Sequence, residues 1–447
     1  MHSAVNDVTL ACSARQRLAR VGPLALVALL LGAGVVRAET VPLVELERRA
    51  LERRATLVAA RSRSSAARAE VSLARAPYRP TVGASLHGEM SPCTRLVRMT
   101  DVDGDEYLVP GSRALGDAGV LTPDFRYGAQ LSMDARLYDF GRTSASVRAA
   151  IAEQGASGLG ERAEERSVVL EVRTAYLDWL AAYGAREILR RNADDARRLR
   201  EADESRAAEG SQPGALTATA RFEEVRASLD LERAEAALAV SRLALERASG
   251  APLSATGEPD LSVLEPSPAP RDGKGSYEAA VLERRRDALV ATAEARRAGR
   301  LPVLGADVDV GMRGQGATLF PLYRVGVSLT IPVLDGGIAS ASADQASFRA
   351  EELSSLAREV RADVLLRSRQ ALVVANRAER EIELAQRLVD VAEQALRHAT
   401  DQRELEGGGS DAVVRARIQR SRSELEVLTA RIVRARALLT MTENPRR

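Results

Sequence analysis

Few side chains in this sequence have the type and spacing that chemistry requires. A cysteine nucleophile at Cys93 would need a neighbouring base, yet beyond residue 38 the histidines are His87 and His398, far apart and on different expected elements. Cys93 therefore reads as a loop cysteine. Gly311-x-x-Gly314-x-Gly316 lacks the strand-to-helix setting of a phosphate loop and reads as a hairpin turn. The acidic run Asp101-Val-Asp103-Gly104-Asp105-Glu106 resembles a calcium loop, but its glycine is misplaced for an EF-hand, so it reads as a solvated turn. No catalytic residue, cofactor site or metal site is expected. What remains is a set of charged residues at strand spacing: Asp134, Arg136, Asp307, Asp309 and Arg324. On the inner face of a pore such acids either hydrate the wall or select cations, and both readings stay open.

The elements that would position them are two related stretches. Tyr127, Ala129, Leu131, Met133, Ala135 and Leu137 alternate with Gly128, Gln130, Ser132, Asp134 and Arg136. Tyr323, Val325, Val327, Leu329, Ile331 and Val333 alternate with Arg324, Gly326, Ser328, Thr330 and Pro332. A period of two gives each strand one apolar and one polar face, and about ten residues suffice for a tilted strand to cross a bilayer. Both stretches end in Asp and Gly (Asp139/Gly141, and Asp335/Gly336/Gly337) before a long helical pattern. Each is preceded by a partner strand: Val82, Ala84, Leu86 and Met90 outward in the first, Leu304, Ala306, Val308, Val310 and Met312 outward in the second.

Composition agrees with long helices rather than one compact globule. Of 447 residues only 3% are aromatic, and the net charge of +2 comes from interspersed, nearly equal acidic and basic counts. No nucleic-acid partner is implied. Arg15, Arg17 and Arg20 precede an apolar run from Val21 to Val36, with small residues at Val36 and Ala38, which reads as an export signal over 1–38. A first structural repeat is expected over 39–249 (helix, two strands, long helix, return helix), a Pro/Gly-rich connector over 250–275, and a second repeat over 276–447. The helices of the two repeats are expected near Leu43–Ala76, 141–209, Leu216–Ser249, Tyr277–Gly299, Ile338–Glu406 and from Asp411 to about Met441. Residues 91–123 lose periodicity and read as a long loop. Gly155, Gly158 and Gly160 predict a bend or weak turn.

Four amphipathic strands cannot close a barrel, and open edges are not tolerated in lipid. Three copies would supply twelve strands, enough for a water-filled lumen. Tyr78, Phe125, Tyr127, Tyr138, Phe140, Phe320 and Tyr323 lie at or near expected strand ends, as an interfacial girdle does. The fold class is thus a mixed α and β membrane protein: four transmembrane strands per chain in a trimeric 12-stranded barrel, continued by a long α-helical coiled-coil barrel, with internal duplication.

At this point the chain resembles the TolC-like outer membrane efflux proteins, over nearly all of its mature length. The resemblance is carried by LYDFGR (Leu137 to Arg142), VLDGGI (Val333 to Ile338), AYLDWLAA (Ala175 to Ala182) and the tips Arg206-Ala-Ala-Glu-Gly210 and Arg403-Glu-Leu-Glu-Gly407. It implies a homotrimeric tunnel with its barrel in outer membrane lipid and its helical barrel running through the periplasm, docked to a periplasmic adaptor and an inner membrane pump, and passive export through it. It also implies adaptor contacts or a gate at Arg206, Gly210, Arg403 and Gly407. Where family members often carry aspartates beyond the second tip glycine, this chain has Val413 and Ala416, and the nearest acid is Asp411. The alternatives are a periplasmic helical-hairpin adaptor, which would need lipoyl-like strand modules, and a structural coiled-coil stalk, which leaves the duplicated strand pairs unexplained.

Overall fold

The computed structural model describes residues 40–92, 95–100, 106–111, 123–209, 214–253, 258–264, 276–315, 318–406 and 411–442. The expected export signal, Cys93 and Asp101–Asp105 lie outside the described residues. So do Gly210 and Gly407.

In chain order the elements are β1 (Thr40–Val41), α1 (Leu43–Arg53), α2 (Ala55–Arg75), β2 (Thr81–Pro92), β3 (Arg95–Thr100), β4 (Glu106–Gly111), β5 (Pro123–Tyr138), α3 (Arg142–Ala208), α4 (Gly214–Ser249), β6 (Glu258–Pro259), α5 (Tyr277–Arg297), β7 (Val303–Gln315), β8 (Thr318–Thr330), α6 (Ile338–Glu406) and α7 (Asp411–Thr442). The two long helices have 67 and 69 residues, about 100 Å each at 1.5 Å per residue. Neither contains a proline, and α3 runs unbroken through Gly155, Gly158 and Gly160, so the weak turn expected there does not occur.

Three expectations are corrected. The first helix is two, because Arg54 adopts an extended backbone (ψ 122°) between α1 and α2. Its guanidinium reaches the Arg247 carbonyl and Glu171, and these contacts accompany the break. The long loop is not structureless: β3 and β4 pair as an antiparallel ribbon within it. The glycine run is only partly a turn, since Gly311 and Gly314 lie inside β7; Gln315 pairs with Thr318 across the hairpin.

The four long strands form one antiparallel sheet in the order β2-β5-β7-β8, so the two halves of the chain meet at the β5–β7 ladder. Register places Ala84, Leu131, Val310 and Tyr323 in one row and Gly83, Ser132, Asp309 and Arg324 in the next. Directly opposed residues share a face, so the sheet has an apolar and a polar side. The apolar side is bare: Leu86 is 86% exposed and Val325 78%. Tyr323 sits opposite Val310 inside the sheet rather than at its rim. β8 stops at Thr330, short of the expected Val333, because Pro332 has no N–H to extend a ladder.

The strand-to-helix corners are built alike. After β5, Phe140 (φ 52°) and Gly141 (φ 93°) turn left-handed, and Asp139 accepts from the Thr143 N–H at 2.9 Å. After β8, Gly336 (φ 61°) and Gly337 (φ 82°) do the same, and Asp335 accepts from the N–H groups of Gly337 (2.9 Å) and Ala339 (3.0 Å). The carboxylates satisfy first-turn donors that a helix leaves open and favour its positive end.

The main core lies midway along α3. Val168, Val172, Tyr176, Leu177, Trp179 and Leu180 pack against Leu46 and Ala50 of α1, Leu245 of α4 and Ile432 of α7. The segment expected to be a plain connector contributes here, for β6 pairs in parallel with β1. The Tyr176 hydroxyl donates to the Val41 carbonyl (3.0 Å) and accepts from the Asp260 N–H (2.6 Å), tying both segments to α3. Burial raises the pKa of this phenol.

Candidate functional site in the pore wall and at the hairpin tips

On the polar face of the sheet the expected residues come together. Asp309 accepts from Gln130 Nε2 at 2.7 Å and from Arg324 Nε at 2.9 Å, and Arg324 Nε also lies 3.7 Å from Asp307. Asp134 and Asp307 stand directly opposite across the β5–β7 ladder. Two carboxylates facing each other destabilise a sheet unless water or a cation intervenes. Arg136 departs from the wall set: its guanidinium is drawn to Asp139 (3.5 Å) and Thr143 Oγ1 (3.3 Å) at the corner. The acids are therefore only partly compensated, with Arg324 serving Asp309 first.

Close approach explains the glycines on this face. A Cβ at Gly326 would stand 2.7 Å from an Asp307 oxygen, and one at Gly128 would stand 2.5 Å from the His87 ring. Polar side chains of one strand lie over bare backbone of the next, which an inward-curving sheet needs. His87 and His398 sit on β2 and α6, and among the described residues no group of three or more His, Cys, Asp or Glu is placed to hold a metal. No helix among them is long and apolar enough to cross a membrane.

At the far end of the long helices the two tip arginines differ. Arg403 of α6 is turned inward: its Nη2 pairs with Oδ1 of Asp203 on α3, and the two side chains are 11% and 0% exposed. The second oxygen of Asp203 and Nε of Arg403 have no partner. Leu199, one turn before Asp203, clusters with Val413 and Val414 of α7 beside the pair. Arg206 is half-exposed, and Asp411 is exposed at the first position of α7. Nearby, Arg200 bridges Glu204 (2.5 Å) and Glu224 (2.8 Å), and Arg221 binds Glu204 (2.8 Å). Arg417 donates to the Asp195 carbonyl, and its burial, with Arg403, Arg198 and Arg420 near, lowers its pKa. Asp203 escaped the sequence reading, although its place on the buried stripe of Leu199, four residues on, was the available signal.

Residues 46–251 match the family described as outer membrane efflux protein. That match spans a little under half of the chain. In agreement, the fold is shared along nearly the whole chain with outer membrane channels of known structure. The crystal structure of CusC superposes with a TM-score of 0.75 at 17% identity, over 89% of this chain and 90% of that one. CmeC of Campylobacter jejuni gives 0.75 at 15% identity, over 92% and 90%. VceC of Vibrio cholerae gives 0.72 at 18% identity, over 89% and 94%. None of the curated proteins matches the chain. The chain thus shares the fold of these channels, with four long strands continued by long helices.

Proposed function

We propose that three copies of this chain close into a 12-stranded barrel and a helical tunnel. On this reading it is the passive outer membrane duct of a tripartite efflux or secretion system. One observation carries the proposal: the sheet is apolar on one face and open at both edges, β2 and β8. The strands run alternately up and down, so β8 of one copy can pair antiparallel with β2 of the next. Closure of this kind removes the open edges that lipid would not tolerate. The chain supplies no nucleotide-binding or redox element of its own in this reading. An inner membrane pump supplies the energy, and a periplasmic adaptor reaches the tips about 100 Å from the barrel.

Within that duct, we assign the Arg403–Asp203 pair to hold the second helical hairpin against the first in the resting state. Arg206, Gly210, Gly407 and Asp411 are assigned to contact with the adaptor. Native mass spectrometry of detergent-purified protein should give a trimer, and planar bilayers should record long-lived ohmic channels in threefold units. A monomer that fails to conduct would overturn the duct.

A further inference from the structure

The membrane-proximal corners of the two repeats carry different chemistry at equivalent positions. Taking Pro80 with Pro302 and Asp139 with Asp335, the first repeat has Arg75, Arg79 and Arg142 where the second has Arg297, Leu301 and Ile338. Arg297 is spent on protein, donating to Ser347 Oγ at 3.2 Å. Leu301 and Ile338 are bare, Ile338 73% exposed. In the first repeat all three arginines are exposed. Their guanidinium groups make no hydrogen bond or ion pair with any described residue.

Helix electrostatics does not account for the set. Arg75 ends α2, where a cation is favoured, but Arg142 is the first residue of α3, where the helix dipole opposes it. All three belong to one corner of the fold: Arg75 and Arg79 flank the turn Ala76–Tyr78, which packs on β5, and α2 packs on α3, which Arg142 opens. Apolar rings stand with them. The register shift between Arg136 and Tyr138 sets Tyr138 opposite Leu304, on the apolar face, and the Phe140 ring meets it edge-on at 4.6 Å. Tyr78 is 58% exposed. Rings at the edge of an apolar face with cations just beyond describe a bilayer boundary on its headgroup side.

We propose that Arg75, Arg79 and Arg142 form a binding surface for anionic phospholipid headgroups of the periplasm-facing leaflet. The inference rests on the strands crossing the bilayer, as proposed above. Charge complementarity and continuity with the apolar strand face select this occupant. Arginine's planar fork suits phosphate oxygens, and exposed aliphatics at the same places in the second repeat fit acyl chains instead.

The test uses the assembled protein in nanodiscs of phosphatidylcholine with a minor share of phosphatidylglycerol, followed by native mass spectrometry of co-purified lipid. The wild type should retain phosphatidylglycerol preferentially, by about fivefold for each arginine at a charged surface. The variant R75Q/R79Q/R142Q should insert, keep its oligomeric state and lose the preference. R75K/R79K/R142K should keep it, and so should R63Q/R68Q, placed deeper along α2. The proposal is overturned if the wild type shows no preference, if the triple glutamine variant retains it, or if that variant falls apart into subunits. Failure of the wild type itself to insert would instead refute the duct.

Discussion

Replacing Arg403 by alanine isolates what the tip pair contributes. Asp203 is fully buried and Arg403 nearly so, so Arg403→Ala strands a carboxylate where water does not reach. Removing one partner of a buried pair costs about 3–5 kcal/mol. The lower end applies here, since one Asp203 oxygen already lacks a partner. A helix-end arginine acting on the dipole alone contributes only about 0.3–1 kcal/mol. The stranded charge can be relieved without unfolding if hairpin α6–α7 swings away from α3 and lets water in. A shift of about 3 kcal/mol toward that state raises the open population roughly 150-fold. Single-channel recording should therefore show Arg403→Ala opening far more often than wild type. Asp203→Ala/Arg403→Ala removes the buried charge as well, and its opening should fall between the two. Unchanged gating in Arg403→Ala, with an unchanged melting temperature, would refute the reasoning; loss of stability without opening would leave the pair a brace and not a lock.

Four further outcomes follow from the geometry. Leu131→Arg and Val327→Arg should block membrane insertion at about 2–4 kcal/mol each, whereas Ser132→Arg should insert and alter conductance; heat-modified gel mobility and conductance read the difference. Tyr176→Phe should cost about 1–3 kcal/mol by leaving the Val41 carbonyl and Asp260 N–H unpaired, seen as earlier melting and faster proteolysis at residue 40 or 260. Burial pushes Asp139 up, but its bonds from Thr143 and the Arg136 charge outweigh this and hold its pKa below the usual carboxylate value; the Ala339 and Gly337 amides do the same for Asp335. Their contribution is thus complete above about pH 4 and lost as pH falls through the depressed values, so Asp139→Asn/Asp335→Asn should flatten the acid limb of a melting-versus-pH curve. Arg206→Ala should weaken crosslinking to an adaptor while leaving basal conductance unchanged.

Strands and long helices were legible because their signals are local and periodic. Alternation between Tyr127 and Leu137 needs no knowledge of a partner to define a face, and proline-free stretches from Gly141 and Ile338 define helices by the absence of any break. What stayed hidden depended on distant residues. Arg54 breaks its helix in the company of a carbonyl and a carboxylate more than a hundred positions away. β1 and β6 have two residues each, too few for a period, and exist because Tyr176 holds both backbones. At the tips, matched spacing made Arg206 and Arg403 look equivalent; only the burial of Asp203 separates them.

That inequality follows from how a duplication ages. The corners stayed alike because Asp139 and Asp335 each serve their own helix, so either copy works alone. The lock cannot be copied in this way, since it joins one repeat to the other. Counting back three residues from each tip arginine gives Asp203 in the first hairpin and Thr400 in the second. Thr400 turns its hydroxyl to the Leu396 and Arg397 carbonyls of its own helix and offers Arg206 no carboxylate. Restoring symmetry with Thr400→Asp should therefore not create a second lock. Arg206 and position 400 would both have to be buried at the facing seam, and Arg206 is half-exposed. A closed trimer of this chain would hold three such locks, each joining the two hairpins of one copy.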